Sequence, residues 1–213
     1  MMKIALIGAS GFVGSATLNE ALQRGHAVTA LVRNPDKVTA RAGVAARKVD
    51  ATDAKALASE LAGHEVAISA FNGGWGDPKI YEKHLEGSRA IVAAAKAAGV
   101  RLIVIGGAGS LHAPDGSQFV DSPDFPEAYR DGARAARDAL AELRGEAGLE
   151  WSFLSPAAHM APGKRTGKFR LGGDQPVLDA KGESHVSVED LAVAIVDEAE
   201  TPKHTGKRFT LGY

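Results

Sequence analysis

The seven residues Gly8-Ala9-Ser10-Gly11-Phe12-Val13-Gly14 limit what this chain can fold into more than any other stretch. They follow the apolar run Ile4-Ala5-Leu6-Ile7 and lead into the helical pattern Ser15-Ala16-Thr17-Leu18-Asn19-Glu20-Ala21-Leu22. Strand, glycine turn and helix in that order are the context a dinucleotide-binding fingerprint needs. One glycine permits a tight turn, one lets backbone N–H groups approach a pyrophosphate, and one lets helix and strand pack closely. The anion then rests on the helix N-terminus, whose first N–H groups have no internal acceptor. The motif names Gly8, Ser10, Gly11, Phe12, Val13 and Gly14 as cofactor contacts; an ordinary strand-to-helix turn is the alternative.

Further along, apolar runs alternate with helical patterns. Strands are expected near 2–7, 28–32, 44–49, 65–71, 100–105 and 149–155, and helices up to Gly25 and over 54–61, 79–98 and 127–144. Asp53 or Thr52 suits the cap of the second helix, and Ser187 the cap of a last helix reaching Ala199. Residues 157–183 read as loop with possible short strands at 168–171 and 177–179, 184–187 looks extended, and 207–211 reads as a short closing strand. This alternation predicts an α/β chain with a Rossmann-type, doubly wound, mostly parallel sheet. The expected strand order is 3-2-1-4-5-6 plus the short C-terminal strand, with the ligand crevice at the carboxyl ends of strands one and four. A single domain over 1–213 is expected, residues 156–213 forming a small substrate-side portion. Ala70, Phe71, Asn72 and Gly107, at the ends of strands four and five, complete the expected cofactor contacts.

The end of strand two bears on which cofactor is bound. An acidic residue there accepts from a ribose 2′-hydroxyl, whereas an arginine accommodates a 2′-phosphate. Here the residue is Arg33, followed by Asn34, and a guanidinium offers a planar fork suited to phosphate. NADP(H) is therefore preferred, with NAD(H) possible; Arg33 stacking on adenine or standing in solvent is the other reading. Asp50, ending strand three, is a candidate for the adenine amino group or for capping the next helix.

The usual acid of short-chain dehydrogenases is a tyrosine with a lysine four residues later. Tyr81 is followed at that spacing by Leu85, Tyr129 by Ala133, and Tyr213 is the last residue, so the pair is absent. Conventional alcohol or nucleotide-sugar oxidoreduction is disfavoured.

The glycine turn, the missing Tyr-Lys pair, Pro162-Gly163-Lys164-Arg165-Thr166-Gly167-Lys168-Phe169-Arg170, the stretch Gly182 to Ala192 and the ending Arg208-Phe209-Thr210-Leu211-Gly212-Tyr213 together resemble the atypical short-chain dehydrogenases called NADH-flavin reductase-like. The chain is more distantly similar to biliverdin-IXβ/flavin reductase and to NmrA-like proteins. The resemblance implies hydride transfer from NAD(P)H to a planar conjugated acceptor such as free flavin or quinone. The NmrA-like alternative is a non-catalytic NADP(H)-binding redox sensor. The biliverdin/flavin reductase pattern maps onto Ser110 and His159 as residues beside the nicotinamide, each also readable as a plain loop residue. The Trp75 loop is a candidate to stack on a planar substrate or to pack under itself. Lys164, Arg165 and Lys168 are candidates for an anionic acceptor or a solvated face.

Bulk properties narrow the partners. A net charge of -1 over 213 residues gives no reason to expect nucleic acid, and no apolar run approaches a bilayer span. Zero cysteines exclude disulfides and thiolate chemistry, and seven histidines without a close i, i+4 pair argue against a metal. A cytoplasmic monomer or homodimer is expected.

Overall fold

The computed structural model describes residues 1–213. The strands are β1 (Lys3–Ile7), β2 (Ala27–Val32), β3 (Val44–Lys48), β4 (Val66–Ser69), β5 (Arg101–Ile105), β6 (Trp151–Ser155), β7 (His159–Ala161), β8 (Arg170–Gly172), β9 (His185–Ser187) and β10 (Lys207–Gly212). The helices are α1 (Phe12–Gln23), α2 (Ala54–Leu61), α3 (Ile80–Ala98), α4 (Glu127–Arg144) and α5 (Val188–Glu200).

The main sheet runs β3-β2-β1-β4-β5-β6-β10-β8, parallel throughout except that β8 pairs antiparallel to β10. Alternation along β1 explains why helices cover both faces. Ile4 and Leu6 face one way, into a core with Leu18 of α1 and Leu191 and Ile195 of α5. Ala5 and Ile7 face the other, against Leu57 and Leu61 of α2 and Ile91 and Ala94 of α3. Trp151 and Phe153 of β6 extend that second layer under Leu140 and Leu143 of α4.

Caps follow the local chemistry. Asp53 accepts from the Ala56 amide to start α2, Ser187 accepts from Asp190 to start α5, and α3 stops at Gly99 in the left-handed region (φ 65°).

The C-terminal strand stands where expected, beside β6, as the six-residue β10, and β8 pairs along its outer edge. Two expectations for the C-terminal portion need correcting. No strand forms at 177–179; there Asp179 and Glu183 close a turn instead, the Asp179 amide donating to the Glu183 carbonyl. His159–Ala161, read as loop, pairs in parallel with His185–Ser187 as a separate two-stranded sheet. Both partners are only three residues long, too short for a period-2 signal to register.

Candidate active site

The first two parallel-strand crossovers bring the glycine turn, the β2 end and the β4 end to one carboxyl edge. Gly8 has φ +78°, and a Cβ there would lie 2.7 Å from the Ala70 carbonyl oxygen. A Cβ on Gly14 would come within 2.1 Å of the Gly8 carbonyl oxygen, so α1 and β1 approach this closely only with glycine. Gly11 precedes α1 with extended backbone and no side-chain cap, and its Cβ would meet only Gly8 at 3.4 Å. The amides of Phe12, Val13 and Gly14 donate to nothing within the protein. Ser10, Gly11 and Phe12 are exposed around them. Uncapped N–H groups at a helix start, with an exposed approach, are an anion cradle that fits a pyrophosphate.

Arg33, just past β2, is exposed and has no hydrogen-bond or ion-pair partner in the chain. Asn34 is used locally, accepting from the Asp36 amide. Asp50 accepts from the amide and hydroxyl of Thr52; these bonds, with the nearby charge of Arg33, hold its carboxyl below its ordinary range. Its place as a helix cap is taken by Asp53.

At the β4 end the backbone and side chains diverge. Ala70 and Phe71 border Gly8 with their main chain. The Phe71 ring turns inward, stacked on His84 at 5.8 Å and so close to Gly87 that a Cβ there would sit 2.3 Å from it. His84 is buried with Nδ1 unpaired, and burial pushes its pKa down to about 4. Asn72 accepts from the Gly74 amide at 2.8 Å and so braces its own loop.

At the β5 end, Gly106 leaves room for the Phe153 ring, which a Cβ would meet at 2.0 Å, and Gly109 leaves room for Ala133 at 2.9 Å. Gly107 has no such constraint, its nearest neighbour lying 3.7 Å away. Ser110 is 2% exposed. Its carbonyl and hydroxyl accept from the Arg208 guanidinium at 2.8 and 3.1 Å, and its own proton has only the Gly107 carbonyl, at 3.5 Å. Arg208 is buried on β10 and also pairs with Asp174. Burial would raise the Asp174 carboxyl, but Arg208 and Arg144 hold it below its ordinary value. Sequence reasoning missed Arg208, since an arginine in an alternating strand pattern reads as solvent-facing.

His159 is exposed at the start of β7, its amide bonded to the Ser184 carbonyl. The basic segment beside it is largely committed. Arg165 forks onto Glu20 at 2.6 and 2.8 Å, while Thr166 and Gly167 donate their amides to Asp190. Lys164 and Lys168 remain exposed. The tyrosines are engaged elsewhere: Tyr81 donates to Asp138, Tyr213 to Asp190, and the Tyr129 ring meets Trp75 edge to face.

The fold and cradle together define an NAD(P)H-binding protein of Rossmann type. A family model described as NAD(P)H-binding matches residues 8–202, and the chain belongs to that family. YwnB of Bacillus subtilis (strain 168), an uncharacterised protein, is 39% identical over 99% of this chain and 98% of its own. A structure from Streptococcus pneumoniae TIGR4 named a "putative NADH-flavin reductase" is 35% identical, with a TM-score of 0.89 over 100% of this chain and 99% of that one. One from Bacteroides thetaiotaomicron named a "putative epimerase" is 45% identical, with a TM-score of 0.92 over 100% and 97%. These relatives put the chain among the atypical, flavin-reductase-like short-chain dehydrogenases, and it is an oxidoreductase-type nicotinamide binder. No helix is long and apolar enough to cross a membrane.

Proposed function

We propose that the protein is an NADPH-dependent reductase of a planar conjugated acceptor, a free flavin or a quinone. The observation that carries this reading is the pairing of a built pyrophosphate cradle with a chain in which no tyrosine is followed by a lysine four residues later. An epimerase or alcohol dehydrogenase needs a proton relay at the reacting carbon, whereas a flavin needs chiefly alignment. When bound, reduced nicotinamide supplies a hydride, which the acceptor takes together with a proton from water.

In this reading the amides of Phe12, Val13 and Gly14 hold the pyrophosphate, and Arg33 receives the 2′-phosphate, with Asp50 toward the adenine. The backbone of Ala70, Phe71, Asn72 and Gly107 walls the nicotinamide side. Ser110, buried behind this wall, has a hydroxyl polarised by Arg208, and its reach to the acceptor requires its proton to leave the Gly107 carbonyl. His159, exposed and on the substrate side, orients the acceptor or shares a proton with it.

The test is NADPH consumption with riboflavin, FMN and a naphthoquinone, in wild type and His159→Ala. Turnover is expected with at least one acceptor, and His159→Ala is expected to raise KM or lower kcat while NADPH affinity is kept. Tight NADPH binding without turnover on any acceptor would replace this reading with the redox sensor.

A further inference from the structure

We propose that Trp75 and Tyr129 form the stacking wall that holds the ring of the acceptor. The proposal rests on the reductase reading above and adds where the flat substrate lies.

Tryptophan and tyrosine side chains are usually drawn out of water, and this chain's other tryptophan, Trp151, is 5% exposed. Trp75 and Tyr129 are instead 59% and 55% exposed, their rings 5.4 Å apart at 85°. That makes an open aromatic corner rather than a closed core pair.

The corner is rigidly built. Asn72 accepts from Gly74, the Asp77 amide donates to the Gly74 carbonyl, and the Ile80 amide donates to the Asp77 carbonyl. Gly73 lies against the first turns of α3, where a Cβ would come within 2.7 Å of the Ile80 oxygen and the His84 nitrogen. Gly132 of α4 makes room for the indole, which a Cβ would meet at 2.7 Å. Two glycines and a braced loop thus hold a tryptophan whose face stays open. This is a wall, not a lid.

Its position suits the acceptor. Gly132 seats Trp75, and the next residue, Ala133, packs on Gly109 beside Ser110, so one turn of α4 joins the corner to the β5 end. Two of the neighbouring charges are taken up within the chain: Asp77 pairs with Lys83, and Arg130 binds Glu127 and the carbonyls of Val120, Ser122 and Phe125, while Lys79, Asp131 and Arg134 are exposed around the corner. The corner itself offers a ligand aromatic surface, which suits a conjugated ring.

Riboflavin emission reports on this contact, because electron transfer from a touching indole or phenol quenches it and falls off steeply with distance. Riboflavin titrated into the NADP⁺-loaded protein is expected to lose emission on binding. In Trp75→Phe/Tyr129→Phe the flavin is expected to bind but keep its emission. Trp75→Ala is expected to raise the KM of the accepted ring roughly tenfold with NADPH affinity and thermal midpoint held. Wild-type KM in Trp75→Ala and Tyr129→Ala would overturn the wall while leaving the reductase reading intact. If no acceptor is turned over, that reading fails, and the binding titration, which needs no turnover, still decides: quenching kept in the double variant overturns the wall.

Discussion

The glycine turn at 8–14 and the basic segment at 162–170 are each a candidate for binding an anion, the first through backbone amides and the second through charge. Their donors are arranged in opposite ways. At the turn, the first amides of α1 have no acceptor and no side chain caps them. In the later segment several donors are answered from within, though the side chains of Lys164 and Lys168 stay exposed. Gly163 donates to Glu189, Arg165 to Glu20, and Thr166 and Gly167 to Asp190, which also accepts from Tyr213. Donors left without acceptors mark where a ligand goes; donors matched to acceptors mark a joint. Much of the C-terminal sequence that carries the family resemblance is thus the joint that locks 162–170 onto α1 and α5.

The sharpest way to break the contrast is inside the turn itself. Gly14→Ala puts a methyl 2.1 Å from the Gly8 oxygen, which only a separation of α1 from β1 relieves. It is expected to weaken NADP⁺ binding by about 100-fold or more, roughly 2.7 kcal/mol, read by titration calorimetry. Gly173→Ala, outside the turn and with nothing within 4 Å of the added methyl, is expected to stay within about twofold. An equal loss from both would mean that close packing is not what builds the cradle.

The joint has its own test at Asp190, which is fully buried. Burial alone would raise its carboxyl, but bonds from Thr166, Gly167 and Tyr213 hold it below the ordinary 3.8. The charged form is thus the one folding favours, so this stabilisation is complete above the unfolded value and disappears as pH falls through the folded one. Asp190→Asn at neutral pH is expected to lose about 2–3 kcal/mol in urea unfolding, since an amide cannot accept at both oxygens. NADP⁺ affinity of the folded variant is expected to remain within about twofold. A large loss of affinity with stability unchanged would turn the joint into a binding element.

What the sequence disclosed follows the same division. Apolar patterning shows plainly in β1, α3 and α4, because burial on one or both faces writes a pattern along contiguous residues, and caps show in Asp53, Gly99 and Ser187. Gly8 and Gly14 were legible because their requirement is backbone-local. Partners set by tertiary structure were not. Arg165 looks free until Glu20, 145 residues earlier, is brought against it, and Arg208 looks solvent-facing until β8 covers β10. Phe71 could be placed at the right strand end, but not that its ring points toward His84 and only its backbone faces the turn. Tyr129 carried no signal at all, since its significance lies in meeting a tryptophan 54 positions away across two elements.

The smallest expected effect falls on the cation at the end of β2. Arg33 stands exposed past β2 without an internal partner, while Asn34 beside it is spent on the Asp36 amide. A single exposed charge pair is modest and salt-sensitive. Arg33→Asp is expected to lower the ratio of NADPH to NADH affinity about tenfold, or about 1.4 kcal/mol, in low salt. The shift should shrink at ~0.5 M salt, where screening weakens both the lost attraction and the new repulsion. The fall should come mainly from NADPH, because a carboxylate repels the 2′-phosphate yet accepts from a 2′-hydroxyl. A ratio unchanged by the substitution would leave Arg33 a solvated side chain, and the turn a cradle for either nicotinamide dinucleotide.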